Sequence, residues 1–277
     1  MEQLGIEFLS VFGLPPVEFV NLAADLGCRY IATGLVGFRL KKLGYPPFSL
    51  KDDPALRKEM LAAMDDRGVA ISLGDGVLIL PSADAHNSAA DLDAMAELRV
   101  PRVNAVSLDP DRGRTFDQVA VVAELAAQRG METTVEAVPG MTIGDIPTAL
   151  EVIRHVGRPD VRLLIDTMHL VRSGSGAPDL CAIDPNLIGH AQLCDATLHP
   201  RFDNYMEEAL YERMVPGQGE LPLGDILVAL PPGLMIGLEI PQRSLAEAGI
   251  GPIDRLRPCV EAARSLLSEY GPGRVAR

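Results

Sequence analysis

The sequence has no tryptophan and few aromatic residues, histidines or lysines among its 277 positions. Its longest basic cluster is only Arg39, Lys41 and Lys42, and the formal net charge is −13. This balance argues against nucleic acid as a partner, because phosphate binding needs a basic stripe. No apolar run approaches the ~20 residues that a membrane helix needs. We therefore expect neither a nucleic-acid nor a membrane partner.

Cysteine is scarce and widely spaced. Cys28, Cys181, Cys194 and Cys259 form no CxxC pair, which predicts small buried thiols in a reducing compartment and not a disulfide or thiolate–metal framework. The first residues, MEQLGIEFLSVFGLPP, lack the basic and apolar segments of a secretory signal. Both observations predict a cytoplasmic protein.

Short β-rich runs alternate with helical periods along the chain. Predicted strands occupy residues 6–11, 30–33, 69–73, 102–107, 132–136, 161–166, 190–194 and 234–239. Predicted helices occupy residues 17–26, 54–67, 85–98, 116–129, 146–156, 223–230 and 254–270. Pro15 and Pro16 suit a helix start, and Gly27, Gly68 and Gly130 suit helix ends. The order of these units indicates a parallel sheet with helical crossovers.

The number of units predicts how the sheet closes. Eight strands, each followed by a helix or, after the sixth, by a short irregular segment around residues 178–187, fit a single-domain (β/α)₈ TIM barrel over residues 1–277. An open doubly wound sheet is the alternative, but no GxGxxG motif follows an early predicted strand to support it. We predict the α/β barrel.

Polar side chains lie at the ends of four successive predicted strands: Glu136, Asp166, Gln192 and Glu239. In a barrel, these ends meet at one rim, where catalytic residues are found. Buried carboxylates are costly without compensation, and a hard cation is the simplest compensation. Two glutamates, one aspartate and one amide oxygen suit Mg²⁺ or Mn²⁺ better than a closed thiolate zinc site.

Four segments carry a resemblance to a known family: DTMH at 166–169, HAQLCD at 190–195, RMVPGQGE at 213–220 and GLE at 237–239. They resemble the xylose-isomerase-like barrel superfamily, which includes sugar and sugar-phosphate isomerases and epimerases, hydroxypyruvate isomerase and 3-dehydroshikimate dehydratase. The resemblance spans essentially the whole chain, and its sharpest motifs lie in the second half.

The resemblance implies that the four strand-end residues hold one divalent cation, Mn²⁺ or Mg²⁺. The position of Gln192 is often histidine in the epimerases, whereas hydroxypyruvate isomerase and the dehydroshikimate dehydratases are similar to this chain in having glutamine there. His169 matches a position that contacts substrate or supports the metal shell, and Arg213 one that binds a substrate oxygen. His199, in the loop after predicted strand seven, is a further candidate for substrate binding.

The implied chemistry is proton transfer next to the carbonyl of a small polyhydroxylated substrate. A cation would stabilise the negative charge of an enediolate. If Glu136 removes a proton and Glu239 returns it, or the reverse, the result is isomerisation or epimerisation. If a β-hydroxyl leaves instead, the protein is a lyase of the 3-dehydroshikimate dehydratase type, with His169 as acid or base.

Other interpretations remain open at this level. A carbon–carbon or C-glycoside-cleaving role with a small partner subunit and a non-catalytic barrel are both conceivable. Apurinic endonuclease is disfavoured, because it needs a histidine-rich trinuclear zinc site and this chain has five histidines in all. The loop 36–50 fits a lid or a homo-oligomer contact equally well. The PGQGE segment at 216–220 fits a structural loop that brings Arg213 to the site, or a phosphate-binding turn.

Overall fold

The structure, a computed structural model, describes residues 3–271, so residues 1–2 and 272–277 of the predicted domain lie outside the described part. Eight parallel strands form a closed barrel in chain order, and the first strand pairs with the second and the eighth. The strands are β1 (Leu4–Ile6), β2 (Tyr30–Gly34), β3 (Ala70–Ile79), β4 (Arg102–Ser107), β5 (Glu132–Glu136), β6 (Val161–Asp166), β7 (Ile188–Leu193) and β8 (Ile236–Leu238). The predicted TIM barrel is confirmed.

Helices follow the strands around the barrel. They are α1 (Pro16–Asp25), α2 (Pro54–Arg67), α3 (Ala89–Glu97), α4 (Arg112–Ala127), α5 (Ile146–Val156), α6 (Thr167–Arg172), α7 (Ala177–Cys181), α8 (Tyr205–Tyr211), α9 (Leu223–Ala229), α10 (Arg243–Glu247) and α11 (Pro252–Tyr270). Four short 3₁₀ segments complete the helical elements: Phe8–Val11, Lys41–Leu43, Ala85–Ser88 and Pro185–Leu187.

Local sequence determines where the long helices begin and end. The Asp53 carboxylate accepts a hydrogen bond from Leu56 N at 3.0 Å, and the Asp145 carboxylate accepts one from Thr148 N at 2.8 Å. Each aspartate thereby satisfies a backbone N–H that has no partner inside its helix. Gly68 ends α2 at φ 64°, a conformation that glycine adopts without steric cost.

The first strand differs from its prediction. Residues 6–11 were expected to be extended, but β1 ends at Ile6 and Phe8–Val11 form a 3₁₀ turn, with Ser10 N donating to Glu7 O at 3.1 Å. Phe8 and Val11 of this turn are buried, as the apolar residues of a strand would be, so hydrophobicity alone does not distinguish a strand from this turn. The shorter strand puts Glu7 directly after a strand end.

The third strand also differs from its prediction, because it continues beyond residue 73. β3 runs on to Ile79, and its register with β4 shifts between Gly74 and Val77. A bulge of this kind lets a strand continue through glycines that would otherwise indicate a turn. Helices α6, α7, α8 and α10, of five to seven residues, were not predicted, because such short elements give only a weak helical period. Helix α9, with seven residues, was predicted.

Two layers of apolar side chains hold the barrel. The main core includes residues of both the strands and the surrounding helices. A small separate cluster consists of Ala32, Leu73 and Leu164. Because side chains alternate along a strand, Leu164 shares its face of β6 with Asp166, whereas the residues on either side of Leu164 pack in the main core. Polar groups therefore lie on the face of the apolar cluster, at the carboxyl ends of the strands.

The cysteines follow the prediction with one exception. All four are free thiols, and Cys28, Cys194 and Cys259 are buried. Cys181, the last residue of α7, is exposed, so the prediction of burial was wrong for it. Within residues 3–271, none of the helices has both the length and the apolar character needed to cross a membrane.

Candidate metal and catalytic site

The four predicted ligands lie at one end of the barrel. Glu136 and Asp166 are the last residues of β5 and β6, Gln192 is the penultimate residue of β7, and Glu239 directly follows β8. Their exposed fractions are 8%, 2%, 1% and 3%, respectively. All four side chains are therefore almost completely shielded from solvent, and charges interact strongly in such an environment.

Arg213 lies between two of these residues. Its Nη1 donates to Asp166 Oδ2, and its Nη2 is 2.8 Å from Glu239 Oε2. Its Nε donates to the carbonyl of Ala209 at 2.8 Å, which fixes the guanidinium. Burial by itself raises the pKa of Asp166, but Arg213 and His169 bring that pKa below its usual value. Arg213 thus keeps Asp166 ionised; its expected contact with substrate stays a prediction.

The Gln192 amide is held by carboxylates. Its Nε2 donates to Glu239 Oε1 at 3.1 Å and lies 3.4 Å from Glu7 Oε2. Its Oε1 is buried and has no hydrogen-bond partner within residues 3–271. A buried polar atom without a partner costs free energy, and native proteins rarely leave one without a reason. A cation ligand is such a reason.

Glu136, Asp166 and His169 form a cluster whose potential ligand atoms all lie within 4.8 Å of one another. His169 Nε2 is 3.5 Å from Glu136 Oε1, and its Nδ1 is hydrogen-bonded to the Tyr205 hydroxyl. Burial lowers the pKa of His169 to about 4, so the imidazole is neutral at neutral pH. A neutral imidazole and carboxylate oxygens can hold a divalent cation. His169, predicted as catalytic, therefore lies among the candidate ligands.

Negative charge is in excess here. Five carboxylates share this end of the barrel interior: Glu7, Asp75, Glu136, Asp166 and Glu239. Burial, with Asp166 and Asp75, raises the pKa of Glu136 to about 8. Burial also raises the pKa of Glu239 well above its usual value, although Arg213 opposes the shift. The arrangement disfavours full ionisation of both glutamates unless more positive charge is added.

Three polar residues of the site were missed in the sequence. Glu7 follows β1, and Asp75 and Asn104 lie on β3 and β4. Asn104 Nδ2 donates to Glu136 Oε2 at 2.7 Å, and its side chain also hydrogen-bonds Asp75. The four predicted ligands were identified because they lie at strand ends. Glu7 would have been identified in the same way if the first predicted strand had ended at residue 6. Asp75 lies in a Gly-Asp-Gly sequence that is typical of a turn.

The glycine-rich loop is structural. The Asp195 carboxylate accepts hydrogen bonds from the backbone N–H groups of Gly217 at 2.8 Å, Gly219 at 2.9 Å and Leu221 at 3.2 Å. A Cβ at Gly219 would lie 2.3 Å from Asp195 Oδ1, so a larger residue there would displace the carboxylate. These amides are occupied, which contradicts the phosphate-binding alternative and supports the loop that brings Arg213 to the site.

His199 lies away from this network. Its side chain is exposed, and its backbone carbonyl accepts a hydrogen bond from Thr197 Oγ1 at 2.6 Å. No contact described within residues 3–271 joins the His199 side chain to the carboxylates. A role for His199 in substrate binding stays a prediction.

Two cavities open beside the site. One of about 500 Å³ reaches Asp75 and is lined largely by apolar side chains, including Phe8, Phe38 and Val77. The other, of about 450 Å³, is lined by Tyr205, whose hydroxyl contacts His169, and by loops after β4 and β5. Volumes in this range accommodate a small molecule.

The comparisons with known proteins agree with the barrel fold. The family model of the xylose isomerase-like TIM barrel matches residues 20–266. The chain belongs to this family. No curated protein matches the sequence. Membership of the xylose isomerase-like family accounts for the barrel fold, and the choice of substrate depends on the residues of the site.

Several solved structures share the fold. The IolI protein with a bound zinc atom superposes with a TM-score of 0.78 at 18% identity, over 97% of this chain and 99% of that one. The probable 3-DHS dehydratase AsbF from Bacillus anthracis gives 0.71 at 16% identity, over 95% and 99%. D-psicose 3-epimerase from Clostridium cellulolyticum H10, solved with D-tagatose, gives 0.66 at 15% identity, over 96% and 97%. At these identities the similarity shows the fold alone.

Proposed function

We propose that this protein is a divalent-cation-dependent isomerase or epimerase of a small polyhydroxylated carbonyl compound, such as a sugar, a sugar phosphate or a hydroxy-keto acid. The observation that carries the proposal is the pair of buried glutamates, Glu136 and Glu239, with raised pKa values on either side of Asp166 and the unpaired Gln192 oxygen. Family membership and the fold shared with D-psicose 3-epimerase support it.

The residues fit a hard cation. Glu136, Asp166, Gln192 and Glu239 offer oxygen ligands, which Mn²⁺ and Mg²⁺ prefer, and the Gln192 oxygen has no competing partner within residues 3–271. When bound, the cation supplies positive charge that stabilises the substrate anion at its carbonyl oxygen. Arg213, fixed by Ala209 and Asp166, would bind a neighbouring substrate oxygen.

The two glutamates then move the proton. A general acid or base works best when its pKa lies near the working pH. Without a cation, burial raises the pKa of Glu136 to about 8, and the positive charge of a bound cation lowers that pKa. One glutamate removes the proton from the carbon beside the carbonyl and the other returns a proton. Return to the opposite face of the same carbon gives an epimer. Return to the neighbouring carbon, with the hydroxyl proton passing to the former carbonyl oxygen, gives an isomer.

A lyase of the 3-dehydroshikimate dehydratase type is the second candidate, and His169 favours it. Burial keeps its imidazole neutral, so the ring has a lone pair that can accept a proton from the substrate carbon. The imidazolium that results can give this proton to the departing hydroxyl, which leaves as water. The protons and the leaving group balance, so the same site accommodates either outcome.

One incubation separates the two. The protein with Mn²⁺ in D₂O is given hydroxypyruvate, D-fructose or 3-dehydroshikimate and followed by proton NMR and near-ultraviolet absorbance. Exchange of the proton beside the carbonyl together with a new isomer supports the isomerase; protocatechuate absorbance supports the lyase. The control is the same protein with excess chelator. Equal rates with chelator, or no exchange and no product from any of the three, would contradict the proposal.

A further inference from the structure

We propose that Glu7 is a positioning residue, which holds the Gln192 amide so that its oxygen, and not its nitrogen, is presented to the cation. The inference rests on the cation of the proposed function. It concerns a residue outside the candidate ligand set.

The hydrogen bonds of Gln192 determine the orientation of its amide. An amide nitrogen donates two hydrogens, and an ionised carboxylate only accepts. Gln192 Nε2 faces one oxygen of Glu239 at 3.1 Å and one of Glu7 at 3.4 Å. With the cation bound and both carboxylates ionised, a reversed amide would turn its oxygen toward two carboxylate oxygens, so the pair of acceptors disfavours that orientation. Both N–H groups are used and the oxygen is left unpaired.

Glu7 is itself fixed by two further features. His190 Nε2 lies 3.0 Å from Glu7 Oε1, and both side chains are almost fully buried. On β8, a Cβ built at Gly237 would lie 1.5 Å from Glu7 Oε1, so the glycine leaves the space that this carboxylate fills. Glu7 N also donates to Leu238 O at 3.0 Å, which ties its backbone to the same strand.

A second amide in the site shows that this arrangement is specific to Gln192. The Asn104 nitrogen also donates to a candidate ligand, Glu136, at 2.7 Å. The Asn104 oxygen, however, accepts from Thr134 Oγ1 at 3.2 Å. Asn104 is therefore satisfied at both ends, whereas Gln192 is held at its nitrogen and free at its oxygen.

The test is the dissociation constant of Mn²⁺, measured by electron paramagnetic resonance on the chelator-stripped full-length chain. We expect Glu7→Gln to weaken Mn²⁺ binding by about tenfold or more, the usual scale for losing the partner of a metal ligand. Gly237→Ala keeps every charge and every ligand but displaces the Glu7 carboxylate. We expect it to weaken binding in the same direction by a smaller factor.

A double-mutant cycle separates positioning from simple charge. In a Gln192→Ala background, neither Glu7→Gln nor Gly237→Ala should weaken Mn²⁺ binding further, because the amide that they orient is gone. Thr133→Val, a buried substitution on β5, is the control for a general change in the barrel wall and should leave the dissociation constant unchanged.

The outcomes are distinct. If Glu7→Gln and Gly237→Ala both bind Mn²⁺ within twofold of wild type, the inference is wrong. It is equally wrong if Glu7→Gln costs the same factor in the Gln192→Ala background, since the carboxylate then acts by charge alone. If Glu7→Gln fails to give a cooperative melt, Gly237→Ala decides the question by itself. Wild-type protein that binds no Mn²⁺ overturns this inference together with the metal-dependent function, whereas wild-type binding with unaffected variants overturns this inference alone.

Discussion

The two candidate catalytic glutamates differ in how their oxygens are occupied. On the β8 side, Glu239 has partners at both oxygens, with Gln192 Nε2 at 3.1 Å and Arg213 Nη2 at 2.8 Å. On the β5 side, Glu136 accepts from Asn104 at 2.7 Å through Oε2, while its Oε1 lies 3.5 Å from His169, which is beyond a good hydrogen bond. Glu136 Oε1 therefore has no close hydrogen-bond partner, and Glu136 is the less constrained of the two glutamates.

The two glutamates also differ in the charge of the side chains that contact them. Glu239 pairs directly with the permanent cation Arg213. The side chains that contact Glu136 are the Asn104 amide and the neutral imidazole of His169, and the nearby Asp166 and Asp75 raise its pKa. We infer that Glu136 removes the substrate proton, and that Glu239 holds the site together and returns a proton from a fixed position. Two side chains of the same type thus receive different tasks from their partners.

Glutamine substitutions at the two positions should give the largest effects and should differ from each other. At saturating Mn²⁺, Glu136→Gln should lower kcat by about 10²–10⁴-fold and abolish exchange of the substrate proton with D₂O, because the base is lost. Glu239→Gln should lower conversion but keep exchange, since Glu136 still removes and returns the proton. Proton NMR measures both on the substrate found above. Exchange that survives in Glu136→Gln but not in Glu239→Gln would reverse the assignment.

Replacing Arg213, the cationic side chain beside Glu239, should lower the stability of the protein. Arg213→Met leaves Asp166 and Glu239 buried without their partner, and in chelator the free energy of unfolding should fall by about 3–5 kcal/mol. His169→Asn, on the β5 side, should cost less because the lost group is neutral. Urea denaturation of the two variants measures the difference, and added Mn²⁺ should stabilise Arg213→Met more than wild type. If the free energy of unfolding fell equally in the two variants, the surroundings of Glu239 and Glu136 would not differ in the way described above.

The part of this arrangement that the sequence predicts follows from backbone geometry. Parallel strands in a closed barrel present their carboxyl ends at one rim, so finding the end of a strand is enough to place Glu136, Asp166 and Glu239. The strand periods and the glycine and proline boundaries made that possible for β5 to β8. Where the strand end was misplaced, as for β1, Glu7 was missed. Asp75 was missed for a different reason, because it lies inside β3 and not at its end.

The part that could not be predicted depends on which side chains meet across the barrel. Glu7 contacts His190 across 183 positions of sequence, and Asn104 reaches Glu136 across 32. These pairs depend on strand register, shear and rotamer, which no local pattern encodes. The placement of Arg213 between two carboxylates depends on the Asp195 loop, whose glycines also fit a phosphate-binding turn when read as sequence.

Replacing Asn104, whose amide contacts Glu136, should shift the pH dependence of kcat/KM. The hydrogen bond from Asn104 lowers the pKa of Glu136, so Asn104→Ala should raise it further. A base must be ionised to act, so the acid limb of the kcat/KM profile should move to higher pH by about 1 to 2 units, the scale of a hydrogen bond to a charged group. Activity above that limb should be retained. An unmoved acid limb would mean that Glu136 is not the base whose ionisation the profile reports.

Removal of the Tyr205 hydroxyl, which is hydrogen-bonded to His169, should have the smallest effect on activity. Tyr205→Phe removes the hydrogen bond to His169 Nδ1, and a neutral hydrogen bond is worth about 1 kcal/mol, or roughly a fivefold fall in kcat/KM. Tyr211→Phe is the matched control on the same helix, because the contacts of that ring are with Phe38 and Arg243 and not with the site. Equal falls in both variants would indicate a disturbance of α8 itself. A fall in Tyr205→Phe as large as in Glu136→Gln would make His169 the principal base, and the comparison of the two glutamates would then no longer describe the chemistry.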